Sequence, residues 1–308
     1  MSVTAARVEA RSFLSRRGFA IKKSDLSFEE QCWLRKELTV RAYIPKAPVQ
    51  PPEFPIYRES STKIYMPRFF GLNTYGAPDV DQLVKAETIG VQFNGALRDY
   101  QRNIVESYLK AAGQGGGGLL EVPCGRGKTV VALNIAAVLG VKTLVIVHKG
   151  FLVTQWQERI AQFLPGARVG RIQGPIVDTE QKDIVIAMLQ SLSMKQYREG
   201  TFDGFGLTIV DECHHISSEV FSRSLQKVVT KYMLGLSATM QRKDGLTNVF
   251  KMFLGEIAYR EKRVVDDSVV VKALMYKSHD EDFKEPILDY RGNPAYSRMI
   301  TRLCEYWP

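Results

Sequence analysis

The chain has 308 residues, 45% of hydrophobic type and 24% charged, a balance that suits about two domains of roughly 100–200 residues, each with its own core. It contains no run of about 18 apolar residues, which excludes a membrane-spanning helix, and its first residues lack the apolar stretch of a secretory signal. The net charge of +9, from 42 Lys+Arg against 33 Asp+Glu, is uneven: 13 basic and 7 acidic side chains fall in residues 1–76, an excess of +6 that suits a polyanion such as nucleic acid or a solvated surface.

Residues 1–92 read as a basic accessory domain with β-like pieces, LTVRAYI (38–44), FPIYRES (54–60) and KIYMPRFFG (63–71), around a proline-rich stretch at 44–55 that suits neither helix nor central strand. A glycine run, residues 113–118, reads as a flexible loop between a helix and the next strand. Beyond it, five continuous apolar runs predict buried parallel strands: GLLEV (118–122), TLVIV (143–147), DIVIAM (183–188), LTIV (207–210) and YMLGL (232–236). TVVALNIAAVLG and FLVTQWQERIAQFL between them have helical spacing, so the pattern predicts an α/β domain with right-handed crossovers. In such sheets ligands bind beyond the carboxyl ends of the strands. Four cysteines (Cys32, Cys124, Cys213, Cys304), with no CxxC pair, fit a reducing, intracellular setting, cytoplasmic or nuclear.

The first run is followed by Pro123, Cys124, Gly125, Arg126, Gly127, Lys128 and Thr129. Two glycines let backbone amides approach a phosphate, and a helix beginning at Lys128 would aim its positive end at it. Lys128 then reaches the β- and γ-phosphates, and the Thr129 hydroxyl serves Mg²⁺. The usual pattern G-x-x-x-x-G-K-[ST] has a glycine five residues before Gly127, where this chain has Val122. After the fourth run comes Asp211-Glu-Cys-His-His215, where Asp211 suits Mg²⁺ and Glu212 suits activation of water. Zinc held by Cys213, His214 and His215 is an open alternative, though no second ligand pair follows at zinc spacing. Ser237-Ala-Thr239 ends the fifth run.

PCGRGKT, DECHH and SAT, in this order and spacing, resemble superfamily 2 helicases of the DExH type over residues 93–258. The resemblance implies a RecA-like ATP-binding domain with ATP and Mg²⁺ as cofactors. It places Arg98 and Gln101, in LRDYQ, on adenine; Pro123 to Thr129 on the phosphates; Asp211 on Mg²⁺; and Glu212 as catalytic base beside Lys128. His214, Ser237 and Thr239 take the coupling role. Lys149, Gly174, Gln190 and Arg242, beyond other strands, take the nucleic-acid strand. SATMQRKDGLTNVFKMFLG and YRESSTKIYMPRFFG resemble the XPB-like branch and the DNA helicases of large viruses and phages. DNA, duplex or branched, is then the implied partner, RNA remaining open, with transcription or repair proteins beside it.

Such helicases hold ATP between two RecA-like domains, the second bringing a Q-x-x-G-R-x-x-R motif, and residues 240–308 contain none. Residues 259–308 therefore read as a linker and the start of a second domain, and the 308 residues alone are expected not to unwind. A non-catalytic DNA-binding or assembly protein with a retained ATP-binding domain is the alternative. A phosphotransferase would leave DECHH and SAT unexplained.

Overall fold

The continuous apolar runs are strands, and they lie side by side. The computed structural model describes residues 11–44, 49–215, 219–240, 245–261, 272 and 285–305. Among these the chain divides into two compact units, Met1–Lys262 and Arg263–Pro308.

The first unit opens with β1 (Ser12–Ser15), β2 (Gly18–Lys22), α1 (Phe28–Glu37), β3 (Thr39–Val40), β4 (Phe54–Pro55), β5 (Arg58–Glu59), β6 (Lys63–Met66), α2 (Arg68–Tyr75) and β7 (Val80–Asp81). Five of these strands form a sheet in the order β5-β6-β2-β1-β7, antiparallel except for β1 with β7. Ser27 starts α1 with a capping box: its hydroxyl accepts from the Glu30 amide at 3.1 Å, and the Glu30 carboxylate accepts from the Ser27 amide at 2.8 Å. Two of the expected β pieces are shorter than the sequence suggested. In LTVRAYI only Thr39 and Val40 pair. In KIYMPRFFG the strand stops at Met66, and Pro67 opens α2 instead. Proline has no amide to leave unpaired at a helix start, so a helix follows it at little cost.

The second part of the unit holds α3 (Asp99–Gly115), β8 (Gly117–Glu121), α4 (Lys128–Leu139), β9 (Thr143–Val147), α5 (Gly150–Phe163), β10 (Val169–Gln173), β11 (Ile176–Val177), β12 (Ile184–Met188), α6 (Leu189–Met194), β13 (Leu207–Val210), α7 (Glu219–Leu225), β14 (Tyr232–Ser237), α8 (Thr247–Leu254) and β15 (Ile257–Arg260). Eight strands form one sheet, β11-β10-β12-β9-β13-β14-β8-β15, parallel throughout except for the edge strand β11. This is the expected α/β class, a RecA-like parallel sheet flanked by helices, with the small β-containing part before it. β8, β14 and β13 are neighbours, so the loops that follow them open at one edge of the sheet.

The two sheets share apolar packing. Phe19, Leu34, Ile64, Met66 and Phe69 from the first sheet's side belong to one buried cluster with Leu119, Phe250 and Phe253 from the second. No helix among the described residues is long and apolar enough to cross a membrane. In the second unit α9 (Tyr296–Glu305) follows a bridge between Leu288 and Pro294.

The glycine run is not a loop. α3 continues to Gly115, Gly116 alone takes a left-handed φ of +80°, and β8 begins at Gly117. A Cβ on Gly117 would lie 2.3 Å from the Phe69 ring and 2.6 Å from the Leu254 carbonyl oxygen, so the glycine makes room for packing.

Candidate active site

Strand β8 leads into the phosphate-loop sequence. Val122 is buried, and its amide donates to the Ser237 carbonyl at 2.9 Å, so this position belongs to the sheet and faces no ligand. Gly125 and Gly127 have φ of +80° and +79°, the left-handed region that glycine enters without strain. At Gly127 the demand is also spatial, because a Cβ would meet the Gln101 amide nitrogen at 2.5 Å. α4 starts directly at Lys128, so its unpaired amides face the loop.

Across the loop lie the ends of β13 and β14. The Asp211 amide donates to the Ile146 carbonyl at 3.0 Å, which fixes the residue at the strand end. Its carboxylate accepts from the Trp156 indole N–H at 2.8 Å and from the Glu212 amide at 3.0 Å. Burial pushes the Asp211 carboxyl above the ordinary aspartate range, the Trp156 hydrogen bond opposes this, and the Glu212 charge adds to it. Glu212 itself has a φ of +48°, which few non-glycine residues adopt. Its carboxylate lies 3.2 Å from the Lys128 ammonium and 3.3 Å from His214 Nδ1. His214 Nδ1 also lies 2.7 Å from the Ser237 hydroxyl. That hydroxyl donates to the Thr239 carbonyl at 2.6 Å and accepts from the Thr239 amide at 3.1 Å, so the histidine nitrogen is the donor in its pair with Ser237.

A cavity of about 570 Å³ gathers these groups. Arg98, Gln101, Cys124 to Thr129, Asp211 and Glu212 all line it. Pro123 does not, and His214, Ser237 and Thr239 form a hydrogen-bonded row beside it. The Gln101 carboxamide donates to the Arg126 carbonyl at 3.1 Å and accepts from the Arg98 amide at 3.0 Å, tying the start of α3 to the loop. Among the described residues the hydrogen-bond donors to the nearly buried Asp211 carboxylate are the neutral N–H groups of Trp156 and Glu212, and Thr129 lines the same cavity, so the pair suits a hard divalent cation. The helix start, the left-handed glycines and Lys128 suit the phosphates of a nucleotide.

Three of the four residues expected on a nucleic-acid strand come together. The Gln190 carboxamide donates to the His148 carbonyl at 3.0 Å, next to Lys149, which precedes α5. The Gly174 amide donates to the Ser191 hydroxyl at 3.0 Å, and Lys195 donates to the Gly174 carbonyl. Arg242 lies outside the described residues. Trp156 was not singled out by the sequence, because its partner is 55 positions away. Nor were Tyr100, whose ring carries the Arg126 guanidinium at 4.2 Å, or Glu261, which accepts from Arg126 Nε at 2.7 Å.

A family model described as type III restriction enzyme, res subunit (ResIII), matches residues 94–242. Over 299 residues the chain is 34% identical to the putative ATP-dependent RNA helicase L396 of Acanthamoeba polyphaga mimivirus, covering 94% of this chain and 57% of that one. Over 168 residues it is 36% identical to the DNA 3'-5' translocase XPB2 of Sulfurisphaera tokodaii, covering 54% of this chain and 36% of that one. The chain thus spans only part of the length of these relatives. The UvsW helicase of bacteriophage T4 shares the fold with a TM-score of 0.54 at 17% identity, over 77% of this chain and 95% of that one.

Proposed function

We propose that this chain, which carries a ResIII helicase domain at residues 94–242 and has XPB-type and viral helicases among its relatives, is the ATP-binding part of a nucleic-acid motor. The observation that carries the reading is the convergence of Lys128, Thr129, Asp211 and Glu212 on one cavity from the ends of two separate strands. Lys128 and the amides from Gly125 to Thr129 hold the phosphates of ATP. Thr129 and Asp211 hold Mg²⁺, which supplies charge neutralisation on the phosphates. Glu212 takes the proton of the attacking water, and Gln101 with Arg98 meets the base. His214, Ser237 and Thr239 carry the state of the site away from it.

The substrate we propose is DNA, duplex or branched, handled in transcription, repair or recombination. The excess of positive charge and the archaeal relative's name support this choice, and the mimivirus relative's name makes RNA the competitor. Lys149, Gly174 and Gln190 would meet the strand with backbone amides and polar side chains. Residues 1–92 act as an accessory domain that adds affinity for it, residues 93–258 as the motor domain, and residues 259–308 as linker and beginning of a second one. Without a Q-x-x-G-R-x-x-R motif these 308 residues bind ATP weakly and separate no strands by themselves, since an arginine finger contributes about 10³–10⁵ in rate in related phosphoryl transfer.

The test is titration with a fluorescent ATP analogue and Mg²⁺. Saturable binding that Lys128→Ala abolishes is the expected result. Binding indifferent to that substitution overturns the reading.

A further inference from the structure

A second cavity, about 460 Å³, lies between the first sheet and the segments around α6 and α7. Its wall is cationic: Arg16, Arg17, Arg58, Lys63, Arg198 and Lys227 line it against two carboxylates, Glu199 and Asp203. Asp203 is taken by Arg16, at 2.7 Å. Lys227 is also committed, since its ammonium donates to the carbonyls of Leu192, Ser193 and Lys195 at the end of α6. Among the described residues no carboxylate pairs with Arg17, Arg58, Lys63 or Arg198. Two of these cations rest on aromatic faces instead, Lys63 at 3.6 Å from the centre of Phe13 and Arg17 at 6.0 Å from that of Tyr65. A ring attracts a cation without neutralising it. Arg58 is partly desolvated and faces the like charges of Arg17 and Arg223, both of which hold its pKa below the ordinary arginine value.

The wall also holds unused donors. Gln226 is 6% exposed, and among the described residues neither its Nε2 nor the buried Arg16 Nη1 has a hydrogen-bond partner. Buried polar groups are seldom left so, and each orphan here is an N–H that needs an acceptor. Unneutralised cations together with unpaired donors select an anion rich in acceptor oxygens.

The place of the cavity narrows the choice of anion. Gln190, expected on the nucleic-acid strand, lies at the start of α6, and Gln196 to Arg198 line the cavity just past its end. α6 has six residues, so about 9 Å of helix separates the two places. That is within one turn of a nucleic-acid backbone.

We propose that this cavity is a second contact for DNA, in which Arg17, Arg58, Lys63 and Arg198 take phosphodiester groups of the strand held at Lys149, Gly174 and Gln190. The inference rests on the reading of the chain as a nucleic-acid motor. The phosphates enter as charge and acceptors, so the contact is indifferent to base sequence.

The test uses the full chain and fluorescently labelled duplex DNA, titrated at several salt concentrations. Arg17→Gln with Arg58→Gln alters one wall, and Arg198→Gln alters the other independently. Each cation removed is expected to lower the magnitude of the slope of log affinity on log salt by about 0.9 on duplex DNA, so the double variant loses about 1.8. Thermal melting checks the folding of each variant, and binding of the ATP analogue should not move in any of them. Wild-type chain that binds ATP and DNA, with a salt slope unmoved by both variants, overturns the cavity and spares the motor. A wild type that binds neither overturns both. Loss of binding to polyglutamate with DNA binding unchanged makes the cavity a docking site for acidic protein, which also overturns the proposal.

Discussion

The Lys128 ammonium sits 3.2 Å from the Glu212 carboxylate, so the group proposed to hold phosphate is paired with the group proposed to activate water. Neither can do its work in that pairing. Phosphate, with more charge and more acceptor oxygens than one carboxylate, is the stronger partner for the lysine. Nucleotide binding would therefore free Glu212, with the His214–Ser237 row standing directly behind it.

Glu212→Gln separates these roles. The amide keeps the size of the side chain and cannot take a proton. Binding of the ATP analogue should persist, and whatever ATP turnover the unaltered protein shows should fall by about 10²–10⁴-fold. Steady-state turnover close to that of the unaltered protein would remove Glu212 from the role of base.

Trp156→Phe tests the other carboxylate. The substitution keeps an aromatic ring but removes the pyrrole part of the buried indole, and with it the N–H that Asp211 accepts at 2.8 Å. A buried acceptor left without its donor costs about 1–3 kcal/mol, so the chain should unfold at lower denaturant concentration. The carboxylate also loses the contact that orients it, so saturation with the ATP analogue should require more Mg²⁺. If the Mg²⁺ midpoint does not change, the indole is structural only.

Five of the parallel strands were legible because each is a short continuous apolar run covered on both faces, as Leu144 to Val147 are. The half-exposed strand β10 was not, since Val169, Arg171 and Gln173 alternate with buried neighbours and look like a surface loop. Lys128, Asp211 and Glu212 announced themselves by sitting in motifs at strand ends. Trp156 had no such signal: its contact crosses from the α5 face to β13, and an aromatic in an amphipathic stretch reads as core. The glycine run misled for a similar reason. Composition alone cannot show that Phe69 and the Leu254 carbonyl fill the space beside Gly117.

That run makes a paired prediction. Gly117→Ala puts a methyl 2.3 Å from Phe69 and 2.6 Å from backbone, and overpacking of this kind costs about 1–3 kcal/mol. Gly113→Ala lies within α3, with nothing within 4 Å of the added carbon, and alanine there should stabilise by about 0.5–1 kcal/mol. Opposite shifts in thermal midpoint are the expected outcome. Equal tolerance of both would return the segment to a loose loop.

Acid should expose two ion pairs that hold the first unit together. Arg35 hydrogen-bonds the Glu59 carboxylate and Lys23 lies 2.6 Å from it, and the Arg35 bond is the main cause that holds its pKa down to about 2. The guanidinium of Arg168 likewise grips Asp183, through contacts of 3.0 and 2.8 Å, and holds it below the ordinary aspartate range against the opposing effect of burial. Both carboxylates are more acidic folded than unfolded, so each contributes stability that is fully present above its unfolded pKa of about 4 and is lost as pH falls through the folded value. For Glu59 the window runs from about pH 4.5 down to about pH 2. Glu59→Gln and Asp183→Asn should each be less stable than the unaltered chain at pH 7 in urea unfolding, with the difference shrinking as the pH falls below the unfolded carboxylate value of about 4. A difference that stayed constant from pH 7 to pH 3 would mean the carboxylates act through shape and not through charge.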